Sequence, residues 1–282
     1  MAEDFEFSLG SVETSILGHA LGVDVHQFPL RIHNTTIDPA RLARLARLVY
    51  DELENRRLSV RGRLHRSVHT AFSLLGDNRV TVAISGLDGH GDDIAVLAVS
   101  DGAQAVGVQQ IPGEDTVRFR LFPDERLVDV LAGVLPPMPA APGGVLVARG
   151  AAPSDPRSPM AQRRQALVEE DLEESAAFGE LEIQAEIRPR ERPLPEESGA
   201  DDEALRRILG RERLGGGHII TAARGRHGQR REAPSLGWLD TDLGRHLVES
   251  DTGPHGVFLA RYIPADEATV AERIRGRIAS VY

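Results

Sequence analysis

Two stretches of this chain, LFPDERLVDVLAGVL at 121–135 and YIPADEATVAERIRGRI at 262–278, are built on one plan. Each is the end of a strand-like run, then a proline, acidic residues of a first helical turn, and an apolar face at i/i+4 spacing. Each also closes a series of β-rich runs. RVTVAIS, DIAVLAVS, QAVGVQQI and TVRFRLF precede the first, separated by the turns GLDGHGDD, DGA and PGED; HIITAARG, SLGWLD, RHLVES and GVFLARY precede the second. This repeated grammar predicts a single α+β domain over 1–282, duplicated into pseudo-twofold halves of about 1–135 and 136–282. One central antiparallel sheet would carry the two Pro-initiated helices on the same side, with the remaining helices elsewhere as satellite bundles.

The other elements follow from periodicity. Residues 4–9 alternate as a short strand, and SVETSILGHALG reads as a helix with Ser11 as N-cap, Thr14 exposed, and Ile16, Leu17, Ala20 and Leu21 inward. Asp38-Pro39 opens a second helix with a stripe of Leu42, Leu45, Val49 and Leu53, and 64–76 forms a third that ends at Gly76. PPMPAAPGG breaks the chain before a short strand, VLVA. Residues 160–178 read as helical and RPRERPLPEESGADD as a mobile, Pro- and charge-rich stretch, with Leu205, Ile208 and Leu209 marking one more short helix. Val270, Ile274, Ile278 and Val281 make the cleanest amphipathic stripe.

Composition narrows the function. The net charge is −10, all 33 basic residues are arginine, and no Arg-rich block is interleaved with aromatics, which argues against nucleic-acid binding. The absence of cysteine removes disulfides, thiolate chemistry and Cys-type zinc sites. MAEDFEFSLG lacks a signal peptide's basic and apolar regions, and no apolar run approaches the ~20 residues of a membrane span, so a soluble, cytoplasmic protein without membrane insertion is expected.

GWLDTDLGRHL, at 237–247, is where chemistry would be sought first. Asp240 and Asp242 resemble metal or phosphoryl-transfer signatures, but Gly244 stands where an EF-hand loop or an aspartyl-phosphate motif needs another residue type. The better reading is structural: Thr241 to Gly244 form a hairpin loop closed by glycine at positive φ, with Asp240 facing Arg245 and Trp238 facing Leu247. The Asp240–Arg245 pair would be partly exposed. His65 and His69 share a helical face without a third ligand, RLGGGH at 213–218 is no Walker motif, and no G-x-S-x-G elbow exists. No catalytic residue, metal site or cofactor is predicted. The competing reading is a metal-dependent hydrolase using Asp240 and Asp242.

RLGGGHIITAARGRHGQRREAPSLGWLDTDLGRHLV, followed by the C-terminal helix, resembles the EspG family of type VII (ESX) secretion-associated chaperones of actinobacteria. The family pattern is a Gly-rich strand start, a basic hairpin, an aromatic-x-D-T-x-x-G-R-[YH] segment and a closing helix; the order of elements fits along the chain, least well at 137–212. The resemblance implies a cytosolic, non-enzymatic protein with a pseudo-twofold α/β fold and two helical bundles, which binds the apolar helical tip of PPE proteins in PE–PPE heterodimers and keeps them soluble before export. It also implies a partner surface made of the sheet face, the loop Gly86, Leu87, Asp88, Gly89, His90, Gly91, Asp92 and Asp93, and a bundle at about 159–212. That loop reads as an exposed flap, with Leu87 as the apolar contact and the aspartates as an acidic rim. Other helical-hairpin secretion substrates are possible partners. The protein itself would be a monomer or weak homodimer, and a degenerate family member without a client is the third reading.

Overall fold

The computed structural model describes residues 4–33, 39–150, 199–225, 228–252 and 258–282. In the first half, β1 (Phe5–Gly10) runs directly into α1 (Ser11–Leu21), followed by α2 (Pro39–Asn55), a small hairpin of β2 (Ser59–Val60) and β3 (Arg63–Leu64), and α3 (Arg66–Gly76). A meander of β4 (Val80–Leu87), β5 (Asp93–Ser100), β6 (Gln104–Gln110) and β7 (Thr116–Pro123) then leads through one 3-10 turn into α4 (Leu127–Ala132). The second half has β8 (Leu146–Gly150), α5 (Gly199–Leu209), β9 (Arg213–Arg224), β10 (Arg230–Glu232), β11 (Leu236–Thr241), β12 (Gly244–Thr252), β13 (Phe258–Pro264) and α6 (Glu267–Val281).

All strands except the small hairpin join one 11-stranded sheet in the order β1-β7-β6-β5-β4-β9-β11-β12-β13-β8, with β10 beside β9. Every pairing in it is antiparallel. The order is the same outward from the β4–β9 seam in both directions: a meander, then the strand that opens that half. The chain is thus a mixed α+β protein built on one large antiparallel sheet.

Alternation sorts the strand side chains between two faces. Val80, Val82 and Ile84 of β4 share a core with Leu127 and Leu131 of α4 and with Val270 and Ile274 of α6. Both strand-closing helices therefore lie on one face. Asp266 caps α6 by accepting from Thr269 N at 2.9 Å, and Glu249 of β12 holds Arg273 and Arg277 of the same helix at 3.5 and 3.1 Å. The prolines end the strands rather than start the helices: Pro123 closes β7 and Pro264 closes β13.

Several details depart from the sequence reading. Helices α1 to α3 are not satellites. They bury Leu17, Leu53, Val68 and Phe72 in one core with Leu97, Val106, Val108 and Phe119 on the second face of the sheet. The N-cap of α1 is Gly10, whose amide donates to Glu13 Oε2 at 2.9 Å, while the Ser11 hydroxyl is drawn to Asp115. Thr14 is fully buried because its hydroxyl returns to Gly10 O, and Ala20 faces outward. Helix α5 forms, with Leu205 and Ile208 buried and Leu209 exposed; the expected helix at 160–178 lies outside the described residues, as does most of the bundle placed at 159–212.

The glycines at the seam have a steric cause. Gly86, Gly217 and Trp238 occupy neighbouring positions across β4, β9 and β11, and the indole lies over both glycines. A Cβ on Gly217 would come within 2.3 Å of both Ser85 O and the Trp238 ring, and one on Gly86 within 2.3 Å of Gly216 O. The sheet must therefore be bare there. Gly217→Ala is expected to cost about 1–3 kcal/mol through overpacking against backbone. Gly276→Ala, in the interior of α6 with nothing within 4 Å of the new Cβ, should add about 0.5–1 kcal/mol from helix propensity. Urea unfolding of the two variants measures both.

Candidate functional site

The D-T-D stretch resolves into two unrelated carboxylates. Asp240 and Arg245 stand opposite each other in the β11–β12 ladder, both side chains 2% exposed. The guanidinium donates to Asp240 through Nε and Nη2, each at 2.7 Å, and Nη2 also donates to Pro136 O at 2.7 Å. Backbone bonds extend the arrangement: Arg245 N donates to Pro139 O, and Arg245 O accepts from Ala141 N and Ala265 N. One residue thereby ties the hairpin to the 136–141 connector and to the entry of α6. The expectation of a partly exposed pair is overturned: both side chains are buried, with the 136–141 connector bonded to the arginine.

Asp242 sits at the tip, 3.1 Å from Arg211 Nε and open to solvent. The loop is shorter than expected: Thr241 and Gly244 are still paired, leaving Asp242 and Leu243 as the turn. Gly244 has φ +121, and a Cβ there would meet Pro139 O at 2.7 Å, so glycine is required twice over. Trp238 does face Leu247. Trp238, Asp240, Gly244 and Arg245 together form a structural lock.

The stretch Gly86–Asp93 is only partly a loop. Gly86 and Leu87 belong to β4, opposite Gly217 and Gly216, and Asp93 begins β5. The reason is the Trp238 contact, which keeps Gly86 in the sheet. The remaining turn is internally bonded: Asp88 Oδ1 accepts from His90 N at 2.8 Å and Asp92 N at 3.0 Å, and Gly91 N donates to Asp88 O at 3.1 Å. With Gly91 at φ +83 this is a defined turn rather than an adjustable flap.

That turn borders a cavity of about 450 Å³ shared with the β6–β7 turn, where Asp92 and Asp93 meet Glu114 and Asp115. Arg31 spans it, pairing with Asp93 at 3.2 Å while its amide donates to Gln110 Oε1. Nothing in the sequence order brings Arg31, Glu114 and Asp115 to this place; it requires the register of β4 to β7.

Histidines have separate structural roles. His65 caps α3, its Nδ1 accepting from Ser67 N at 3.2 Å, and stacks on Phe5 at 4.7 Å between ring centroids. Among the described residues no group of three or more His, Asp or Glu is placed to hold a metal ion. His246, on the sheet face opposite Trp238, is buried, and neither ring nitrogen has a hydrogen-bond partner among the described residues. Burial lowers its pKa below the ordinary 6.5.

The fold defines a class. It matches the Mycobacterium tuberculosis type VII secretion system chaperone EspG5, solved in complex with the PE25–PPE41 dimer, with TM-score 0.62 and 12% identity over 98% of this chain and 96% of that one. The profile of the EspG family matches residues 11–276. The chain belongs to the EspG family. No curated protein sequence matches it.

Two predictions follow from this geometry. Arg245→Leu leaves the Asp240 carboxylate buried without its partner and should cost about 3–5 kcal/mol, whereas Asp242→Asn, on an exposed pair, should cost no more than about 1 kcal/mol; chemical denaturation separates them. For His246, the unfolded chain takes up a proton near pH 6.5 that the folded chain accepts only at lower pH. Stability should therefore fall as pH drops from 7.5 through 6.5 towards the folded-state pKa, and level off below it for this group. Urea titrations at pH 7.5 and 5.5 should show a smaller difference for His246→Leu than for the parent.

Proposed function

We propose that this chain is a cytosolic chaperone of type VII (ESX) secretion, which binds the helical tip of PPE-type proteins in PE–PPE-like heterodimers and keeps them soluble before export. The observation that carries the reading is membership of the EspG family over 11–276, together with a fold shared along nearly the whole length with a chaperone solved bound to a PE–PPE dimer. The chemistry of the carboxylates supports a non-enzymatic role. Asp240 is saturated by a buried arginine and Asp242 is engaged separately by Arg211, so neither offers a free pair for a metal or a nucleophile.

The client surface proposed here centres on Leu87 and the 88–92 turn. A helical tip exposes apolar side chains that need an apolar contact within a polar rim. Leu87 is half-buried at the end of β4, and Asp92, Asp93, Glu114 and Asp115 surround the adjoining cavity. A stable complex would bury about 1,200–2,000 Å² in total.

Co-expression with PE–PPE-like pairs, followed by affinity capture, tests the function. The chain should copurify with at least one pair. Leu87→Asp should abolish capture, and Leu48→Asp, on the exposed side of α2, should leave it intact. Because Leu87 is a strand residue, a loss of about 1 kcal/mol is expected with it, so the melting curve is recorded beside the capture. Undiminished capture by Leu87→Asp would remove the turn from the client surface.

A further inference from the structure

At the end of the seam away from the 88–92 turn, β4 begins and β9 ends, and arginines replace the aliphatic side chains. Arg224 N donates to Arg79 O at 2.8 Å, carrying the register one step beyond Val80↔Ala223 and setting Arg79 beside Arg224. On its other flank Arg224 stands opposite Arg230 of β10. Arginine thus occupies adjacent positions across three strands, an arrangement disfavoured by like-charge repulsion. Arg230 is relieved by Glu232 at 2.8 Å. Arg79, Arg224 and Arg231 make no ion pair among the described residues, and all three line one cavity of about 840 Å³.

Neutralising helix ends would be the ordinary use of such cations, since α3 and α6 both finish here. The α3 carbonyls, however, are already served. Asn78 Nδ2 donates to Leu74 O at 3.1 Å and to Leu75 O at 3.2 Å, and Asp77 N donates to Ser73 O. In α6, Arg277 O accepts from the Ser280 hydroxyl. The nearby Asp124 carboxylate is occupied by the Ser100 hydroxyl. Arg231, paired with Ala223, reaches the cavity from one face of the sheet and Arg79 and Arg224 from the other; Asp77 also lines it, and among the described residues no ion pair joins it to the three arginines.

We propose that this cavity is a docking site for a short acidic segment of a protein partner, whose carboxylates pair with Arg79, Arg224 and Arg231. The planar guanidinium fork suits bidentate carboxylate binding. The overall charge of −10 favours this occupant over a nucleic acid or an anionic membrane. An extended polyanion meets the repulsive field of the whole protein, whereas a short segment meets mainly the local arginines. The cavity is separated from the 88–92 turn by the eight residues of β4, about 26 Å. It does not depend on the client reading, and both places can be filled at once.

Titration of fluorescein-labelled hexaglutamate into the full chain, read by anisotropy at low salt, tests the site. Saturable binding is expected. It should weaken at least tenfold in the triple variant Arg79→Gln, Arg224→Gln, Arg231→Gln and persist in Arg44→Gln, Arg47→Gln on the exposed face of α2. Since the triple change removes mutual repulsion without vacating the core, its melting temperature should match or exceed that of the parent. The proposal fails if hexaglutamate does not saturate, if the triple variant binds as well as the parent, or if inorganic phosphate or phosphatidylglycerol vesicles bind the same arginines more tightly than the peptide.

Discussion

The second half of the molecule depends on the buried ion pair between Arg245 and Asp240. Removing two charges from water is costly, and the pair is tolerable because the fork and the carboxylate match and Pro136 O takes up a remaining donor. Its main consequence is register. A slip of one residue between β11 and β12 would leave the two charges on opposite faces of the sheet, and a slip of β11 would also send Trp238 away from its glycine bed. The arginine backbone, bonded to Pro139, Ala141 and Ala265, carries the same register into the connector and into the start of α6.

From that lock the geometry passes across the sheet to the candidate client surface. Trp238 requires bare backbone at Gly217 and Gly86, and those glycines lie one step from Leu87. The position of the 88–92 turn is therefore set by contacts made on the far face of the sheet. Gly89 is part of the same fit, since a Cβ there would come within 2.8 Å of Leu214 O. A residue pattern that reads as loop flexibility is, at Gly86, a packing requirement of the core.

Much of the fold could be read from the residues, because its two meanders and closing helices obey simple periods. Val80, Val82 and Ile84 against Ala83, or Val270 and Ile274 in α6, declare their faces by spacing alone. The Asp240–Arg245 and Trp238–Leu247 partners were readable too, since a tight turn dictates which residues face each other. Burial was not. Asp240 looks solvent-exposed in a D-T-D turn, yet it is buried beside Arg245, which the connector engages at Pro136, 109 residues away in sequence. Arg31, Glu114 and Asp115 likewise reach the cavity beside Asp93 through long-range register, and β10 is too short and polar to announce itself.

The seam between β4 and β9 has a consequence for how the protein is made. Ile84 meets Ile219, and β1 meets β7 with Phe7 opposite Phe119, so both pairings join residues more than a hundred positions apart. Such contacts form late, because the loop must close before they are rewarded. As the ribosome delivers the amino-terminal half first, the first meander is complete while β4 still presents an open edge. That edge borders the unfilled apolar face of Val80, Val82 and Ile84, the kind of surface that recruits foreign strands. Until β9 arrives, this protein has the same need for cover that it is proposed to meet in others.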